Sequence, residues 1–454
     1  MTRRKFSGLS GLRGTISVPG DKSIAHRSVI LSALSGTACT ITNFPTNDDC
    51  LSTVRALTGL GISISGDLGC PGSTTIIVRG KGLYGLRKSA RSLRAGESGT
   101  TLRLMLGVLA GQRFPATLCA GPMLSQRPMA RVTVPLRLMG ARITGRTKRV
   151  SSGPSFEEYP PLTIYGGPVT PITYKLAVAS AQVKSAILLA GLYARGRTRV
   201  IEPVKTRDHT ERLLSLFKAG IKTHGKTIVI QGGRELAAPG ALYVPGDISS
   251  ASFFIVLGLL AEKSRILIRE VSLNPSRTGI LRVLKRMGAQ IKVTRTQRRT
   301  NTRGEPAGDI EVKTSRLKAT TITEREIPSL IDELPVLMVA ACRARGRSVF
   351  QGVQELRVKE TDRIASMTRN LMKMGADIRV AGAQAHSAAG REDMVIRGVA
   401  YLKGAKVKSF HDHRTAMSMI VAGLCSRGTT SIDDVACINK SFPGFLRILT
   451  SLTT

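Results

Sequence analysis

Apolar residues fall at helical spacing ahead of a glycine and a strand-like alternation in five stretches: VRALTGLGISIS (54–65), PLRLMGARIT (135–144), RLLSLFKAGIKT (212–223), LRVLKRMGAQIKV (281–293) and RNLMKMGADIRV (369–380). Leucines and methionines at i, i+3 and i+4 predict a helix, the glycine predicts its left-handed cap, and the β-branched residues beyond predict a strand. FLRILTSL (445–452) is a sixth, degraded copy. The copies recur roughly every 70 to 85 residues, so the chain is expected to hold six α/β units.

A second repetition divides them. SVPGDKSIAHRSVILSALSG (17–36) and YVPGDISSASFFIVLGLLAE (243–262) share V-P-G-D, and the downstream copy falls just after the third unit. Each copy ends a strand, turns through Pro-Gly and offers Asp as a helix N-cap. Two equivalent crossings between two three-unit domains would place them so, giving one domain from 1–20 plus 245–454 and another from 21–244. Only the upstream copy carries Lys22, Ser23, His26 and Arg27; the downstream one carries small and apolar residues. The turn therefore does not need the cations. Free N–H groups and a partial positive charge at the helix start suit phosphate or carboxylate, with Ser23 and Arg27 on one helical face and Lys22 and His26 on the adjoining one.

Composition narrows the classes. At 454 residues with 42% hydrophobic content the chain can fill two or more cores. No apolar run reaches the ~18 residues of a membrane span. MTRRKFSGLSG has early cations but no apolar segment of a cleaved signal, which reads as a cytoplasmic protein. The seven cysteines include no C-x-x-C pair and read as reduced thiols. The formal charge of +38 would ordinarily favour nucleic acid. Against that, cations are spread along the chain, aromatics are 4%, and no nucleic-acid-binding signature occurs. No nucleic-acid partner is expected.

Further stretches carry chemistry. RAGESGTTLRLMLGVLAG (94–111) is a small-residue turn opening an apolar helix, so backbone amides could approach an anion; CAGPMLSQRPM (119–129) holds Arg127 in a loop before Pro128. YKLAVASAQVKSAILLAGL (174–192) sets Ser180, Gln182, Lys184 and Ser185 among apolar residues, and IPSLIDELPVLMVAA (327–341) does likewise with Asp332 and Glu333. Buried polar groups need partners, and an acid in apolar surroundings is how a general base or acid is tuned. ELRVKETDRIASM (355–367) has Lys359 and Arg363 at i, i+4 with Glu360 between them, and KSFHDHRTAMSM (408–419) supplies His413 and Arg414. Taken singly, each is as well read as an ordinary loop or solvated helix face. His411 and His413 lack the further ligands of a metal site, so no metal or other cofactor is expected.

In order along nearly the whole chain, VPGDKSIAHRS, SGTTLR, the R-P at 127–128, SAQVKSA, TRDHTE (206–211), SLIDELPVL, ELRVKETDR, DHRTAMS and NKSFPGF (439–445) resemble the 5-enolpyruvylshikimate-3-phosphate synthases, or 3-phosphoshikimate 1-carboxyvinyltransferases. The resemblance implies a two-domain inside-out α/β barrel of six βαβαββ repeats, three per domain, closing on substrate. It implies transfer of the enolpyruvyl group of phosphoenolpyruvate to the 5-hydroxyl of shikimate 3-phosphate, with release of phosphate. Lys22, Gly99, Arg127, Gln182, Arg363, Arg414 and Lys440 would surround phosphoenolpyruvate. Lys22, Ser23, Arg27, Ser180, Ala181, Gln182, Arg207, Asp332 and Lys359 would hold shikimate 3-phosphate. Asp332 would be the base, Glu360 the proton donor, and Lys22 close to both substrates. A monomer inhibited by glyphosate is implied, Gly99 leaving room for that inhibitor. Two positions depart from the family pattern: Glu97 stands where many members have Asn, calling for a compensating cation such as Arg94 or Arg103, and Ala181 replaces a Ser. The alternatives are UDP-N-acetylglucosamine enolpyruvyl transferase, which resembles this chain but uses a loop cysteine a few residues before an R-P, whereas Cys119 here lies eight residues before Arg127, and a basic RNA-associated protein on a degenerate enzyme fold.

Overall fold

The computed structural model describes residues 3–149, 156–295, 304–382 and 391–452. All six repeated helices are present: Asp48–Gly59, Ala130–Leu138, His209–Leu216, Gly279–Arg286, Arg363–Lys373 and Phe445–Thr450. Gly61, Gly140, Gly288 and Gly375 take the left-handed position after their helices, with φ of 87°, 95°, 86° and 85°. The third copy differs. Its apolar cap residue is Phe217, so the left-handed position falls on Lys218 (φ 61°), and Gly220 instead opens the strand Gly220–His224.

Among the described residues, five four-stranded sheets repeat one pattern, an outer strand parallel to the second, with the third and fourth antiparallel. In the first sheet Ala241–Tyr243 runs parallel to Ala38–Pro45, which pairs antiparallel with Ser73–Arg79 and that in turn with Ser63–Gly66. Arg13–Ser17 plays the same outer part beside Arg265–Ser272. The sixth sheet is reduced: Thr429–Ile432 lies between Lys406–Val407, parallel, and Arg4–Ser7, antiparallel.

The chain divides into two compact units, and the divisions at Pro19/Gly20 and Val244/Pro245 fall inside the two V-P-G-D turns. One unit comprises residues up to Pro19 with the described residues from Pro245 onward; Gly304 and Glu305 group instead with the other, Gly20–Val244. Each has its own apolar core.

Within each unit, three of the described helices are buried along nearly their whole length, with no wholly polar face. They are Lys22–Leu34, Gly99–Ala110 and Ala181–Gly191 in the continuous unit, and Ile248–Leu260, Leu334–Cys342 and His413–Leu424 in the other. The amphipathic helices of the repeats pack outside them. Polar side chains on the buried helices concentrate in the first turn, where unpaired N–H groups must be met, and the motifs of the sequence lie there.

Candidate active site

In the continuous unit, Asp21 caps the first buried helix by accepting from the N–H groups of Ser23 (2.7 Å) and Ile24 (3.1 Å). Lys22 Nζ lies 3.0 Å from Asp49 Oδ2. Arg27 is 4% exposed and fully engaged. It donates to the Ser23 carbonyl (2.8 Å), Ser185 Oγ (2.8 Å) and Thr210 Oγ1 (2.6 Å). Burial pushes its guanidinium down to about 10; Glu211 opposes this, and the nearby charge of Arg207 adds to it. Beneath, the buried Lys184 ammonium sits 2.6 Å from Glu211 and 3.0 Å from Glu202. Burial raises the Glu211 carboxyl, and the Lys184 charge offsets part of that rise.

Ser98 and Ser180 cap the other two buried helices of this unit, accepting from Thr101 N–H (3.2 Å) and Val183 N–H (3.4 Å). Side chains tie their first turns together. Arg103 donates to Gln182 Oε1 (2.7 Å), and Gln182 donates back to Thr100 Oγ1 (2.9 Å). A Cβ built on Gly99 would stand 2.6 Å from Arg103 Nη1 and 3.5 Å from Arg127 Nη1, so both guanidinium groups reach this glycine. Arg127 follows the short turn Leu124–Gln126 in extended backbone (φ −91°, ψ 135°), as its place before Pro128 requires.

The other unit gathers a mixed-charge group. Asp412 caps His413–Leu424 through the N–H groups of Arg414 (2.7 Å) and Thr415 (3.0 Å), and its second oxygen lies 2.9 Å from Arg363 Nε. Arg363 also pairs with Glu360 and stands 3.7 Å from Asp332 Oδ1. Arg414 donates to the Asp332 carbonyl (2.9 Å) and lies 3.5 Å from its carboxylate. Burial alone would lower the Arg363 guanidinium, but Asp412, Glu360 and Asp332 hold it above its ordinary value. Lys359 reaches Glu355 Oε1 (3.1 Å). Its ammonium is lowered chiefly by burial, with Glu355 and Asp332 opposing and Arg363 assisting. Lys440 ends the turn Ala436–Lys440, which packs on His413–Leu424.

The expected residues thus fall into two groups by unit. Lys22, Ser23, Arg27, Gly99, Arg127, Ser180, Ala181, Gln182 and Arg207 lie at or beside helix starts of one. Asp332, Lys359, Glu360, Arg363, Arg414 and Lys440 lie at or beside those of the other. Ala181, at the first turn, offers only its backbone and methyl group.

Two expectations, on Glu97 and on His26, need correction. Glu97 is not met by Arg94 or Arg103: its carboxylate accepts from the N–H groups of Leu124 (2.7 Å) and Met123 (3.3 Å). Backbone donors replace a cation because the 121–126 loop folds over it; a Cβ at Gly121 would be 2.3 Å from Glu97 Oε1. Lys359 and Glu360 precede the helix that Arg363 opens, Asp362 being its N-cap. His26 is not beside Lys22 at an anion site. It is buried against Thr53 (2.7 Å), and burial, reinforced by Lys22 and Arg27, lowers it to about 3. The downstream V-P-G-D copy carries no cation of its own but meets one from another segment: Arg277 lies 3.3 Å from Asp247.

Asp49, Thr210, Asp412 and Arg277 were not foreseen as partners. Asp412 had a signal, an Asp one residue before a helical run; the others act across long sequence separations that no local pattern records.

A family model described as EPSP synthase (3-phosphoshikimate 1-carboxyvinyltransferase) matches residues 7–449. Relatives called 3-phosphoshikimate 1-carboxyvinyltransferase include one from Shouchella clausii (strain KSM-K16), 45% identical over 443 residues, covering 98% of this chain and 97% of the relative. Another, from Geobacter sp. (strain M21), is 46% identical over 438 residues, 96% of each. A solved EPSP synthase from Acinetobacter baumannii is similar with a TM-score of 0.83 and 38% identity, covering 99% of this chain and 98% of that one.

Proposed function

Because the chain belongs to the EPSP synthase (3-phosphoshikimate 1-carboxyvinyltransferase) family, we propose that it transfers the enolpyruvyl group of phosphoenolpyruvate to the 5-hydroxyl of shikimate 3-phosphate and releases phosphate, serving aromatic amino acid biosynthesis. Both substrates are polyanions, and each unit contributes cations at helix starts, where charge-assisted hydrogen bonds are strongest. Lys22, Ser23, Arg27, Ser180, Ala181, Gln182, Arg207, Asp332 and Lys359 take shikimate 3-phosphate. Lys22, Gly99, Arg127, Gln182, Arg363, Arg414 and Lys440 take phosphoenolpyruvate.

The 5-hydroxyl oxygen adds to the central carbon of phosphoenolpyruvate as Asp332 removes its proton. Glu360 protonates the methylene carbon, giving a tetrahedral intermediate. Loss of phosphate and of a proton from the new methyl group restores the double bond. The observation that carries this reading is the arrangement around Arg363, a buried and persistently charged group that holds Asp332 and Glu360 on one guanidinium. Both carboxyl groups needed for proton transfer are therefore brought to one cation, which a substrate anion can take over from Glu360. We further propose that the enzyme works as a cytoplasmic monomer and that glyphosate competes with phosphoenolpyruvate, since Gly99 brings no side chain of its own between Arg103 and Arg127.

The test is phosphate release from the two purified substrates, run beside UDP-N-acetylglucosamine as alternative acceptor and an RNA mobility shift. Release only with shikimate 3-phosphate is expected, and Glu360→Gln should lower turnover by more than about tenfold. Release with the nucleotide sugar, or salt-sensitive RNA binding without turnover, would overturn the reading.

A further inference from the structure

The downstream V-P-G-D copy holds a buried ion network that the reaction above does not use. Asp247 accepts from the Ser249 N–H (2.9 Å). Arg277, 2% exposed, donates through Nη2 to Ser249 Oγ (2.6 Å) and lies 3.3 Å from Asp247 Oδ1. Ser249 Oγ in turn donates to Glu333 Oε1, which stands 3.7 Å from Arg277 Nη2. Glu333 has no exposed surface. In the upstream copy a serine at the same place, Ser23, is assigned to a substrate anion; in the downstream copy the chain supplies the anion itself.

Glu333 immediately follows Asp332, and the two carboxylates face different cations. Asp332 is held by Arg414 at its carbonyl (2.9 Å) and flanked at its carboxylate by Arg414 (3.5 Å) and Arg363 (3.7 Å). The peptide between them is thus fixed from both sides. The Glu333 N–H donates to the Leu330 carbonyl (2.9 Å), and its carbonyl accepts from Leu337 N–H (3.0 Å). Close packing leaves the turn no slack: a Cβ on Gly279, two residues after Arg277, would lie 2.3 Å from Ser329 Oγ. Stability alone does not call for such a network, because well-packed apolar residues often replace a buried ion pair without loss. Orientation does call for one, since a base must lie within hydrogen-bond reach of the proton it takes.

We propose that Glu333, held by Ser249 and Arg277, is a positioning residue that aims the Asp332 carboxylate at the 5-hydroxyl of the acceptor. This rests on the reading of Asp332 as the base. Glu333→Gln keeps the shape and removes the charge that Arg277 faces. Turnover should fall by up to about 100-fold, the loss expected of a group displaced by 1 Å. KM for both substrates should change by less than about threefold, because ground-state contacts are untouched. Ser249→Ala, which removes only the bridging hydroxyl, should act in the same direction while folding with a somewhat lowered melting temperature, and it decides alone should Glu333→Gln fail to fold. Turnover of both folded variants at the wild-type rate, or a loss carried wholly by KM, would overturn the proposal. Wild-type protein run alongside separates the two readings. Silent wild type removes the function and this inference together, whereas active wild type with equally active variants removes the positioning role alone.

Discussion

Gly99 shows how one missing carbon shapes the site. An added Cβ meets Arg103 Nη1 at 2.6 Å and approaches Arg127 Nη1 at 3.5 Å, both being ends of flexible side chains rather than backbone. Gly99→Ala should therefore fold normally yet displace the Arg103 guanidinium that holds Gln182 and crowd Arg127, Gln182 and Arg127 being assigned to phosphoenolpyruvate, and so raise its KM several-fold, on the order of 1 kcal/mol of binding. Inhibition by glyphosate should weaken at least as much. Steady-state kinetics with each ligand check this, and an unchanged KM would place phosphoenolpyruvate elsewhere. His26 makes a different point. Its folded value of about 3 lies below the ordinary 6.5, so between those values the unfolded chain holds the extra proton. The sign follows: stability rises with pH through this window and is lost as pH falls from about 6.5 towards 3. His26→Gln, which can still bond Thr53, should shrink the difference between urea midpoints at pH 7 and at mildly acidic pH, an effect of up to a few kcal/mol. Equal differences in both proteins would assign the acid sensitivity to other groups.

At the scale of elements, Glu97 acts through a loop instead of a charge pair. Its two carboxylate oxygens take the N–H groups of Met123 and Leu124, which start the turn leading to Arg127. Glu97→Ala strips those donors of their acceptor and should loosen the Arg127 loop, raising KM for phosphoenolpyruvate with a stability loss of about 1 to 3 kcal/mol. Thermal melts and kinetics together test this; lowered stability with an unchanged KM would detach the loop from the substrate. The repeated helices were legible because each obeys one local rule, apolar spacing followed by a cap residue. Where the apolar cap residue moved relative to the glycine, as at Phe217, the rule placed the left-handed turn on the wrong residue. The upstream site residues were equally legible, since Lys22, Ser23 and Arg27 share one helix start. Arg277 and Glu333 were not visible as a pair: they are brought together by packing across 56 positions (333 − 277), and neither segment alone distinguishes a buried ion from a solvated one. Glu97 was visible as an anomaly, but its remedy lay in backbone donors that a list of side chains does not show.

For the molecule as a whole, the charge of +38 attracts both polyanionic substrates from a distance. Such attraction is screened within about 8 Å at physiological salt, so kcat/KM for phosphoenolpyruvate should fall roughly tenfold or more between low and high ionic strength. A constant value across that range would confine the electrostatics to direct contacts. The division of the chain bears on synthesis at the ribosome. Residues 20–244 form one contiguous stretch, joined in their unit by the later Gly304 and Glu305, and able to close its first sheet as soon as Ala241–Tyr243 reaches Ala38–Pro45. Arg13–Ser17 emerges earlier but has no partner until Arg265–Ser272 follows, 248 positions later (265 − 17). At about 5 to 20 residues per second that strand edge waits some 12 to 50 s, while the sheets of residues 20–244 can already be paired. Nascent chains stalled before residue 265 should thus carry paired sheets in the middle and an unpaired leading strand, a segment a chaperone has reason to shield.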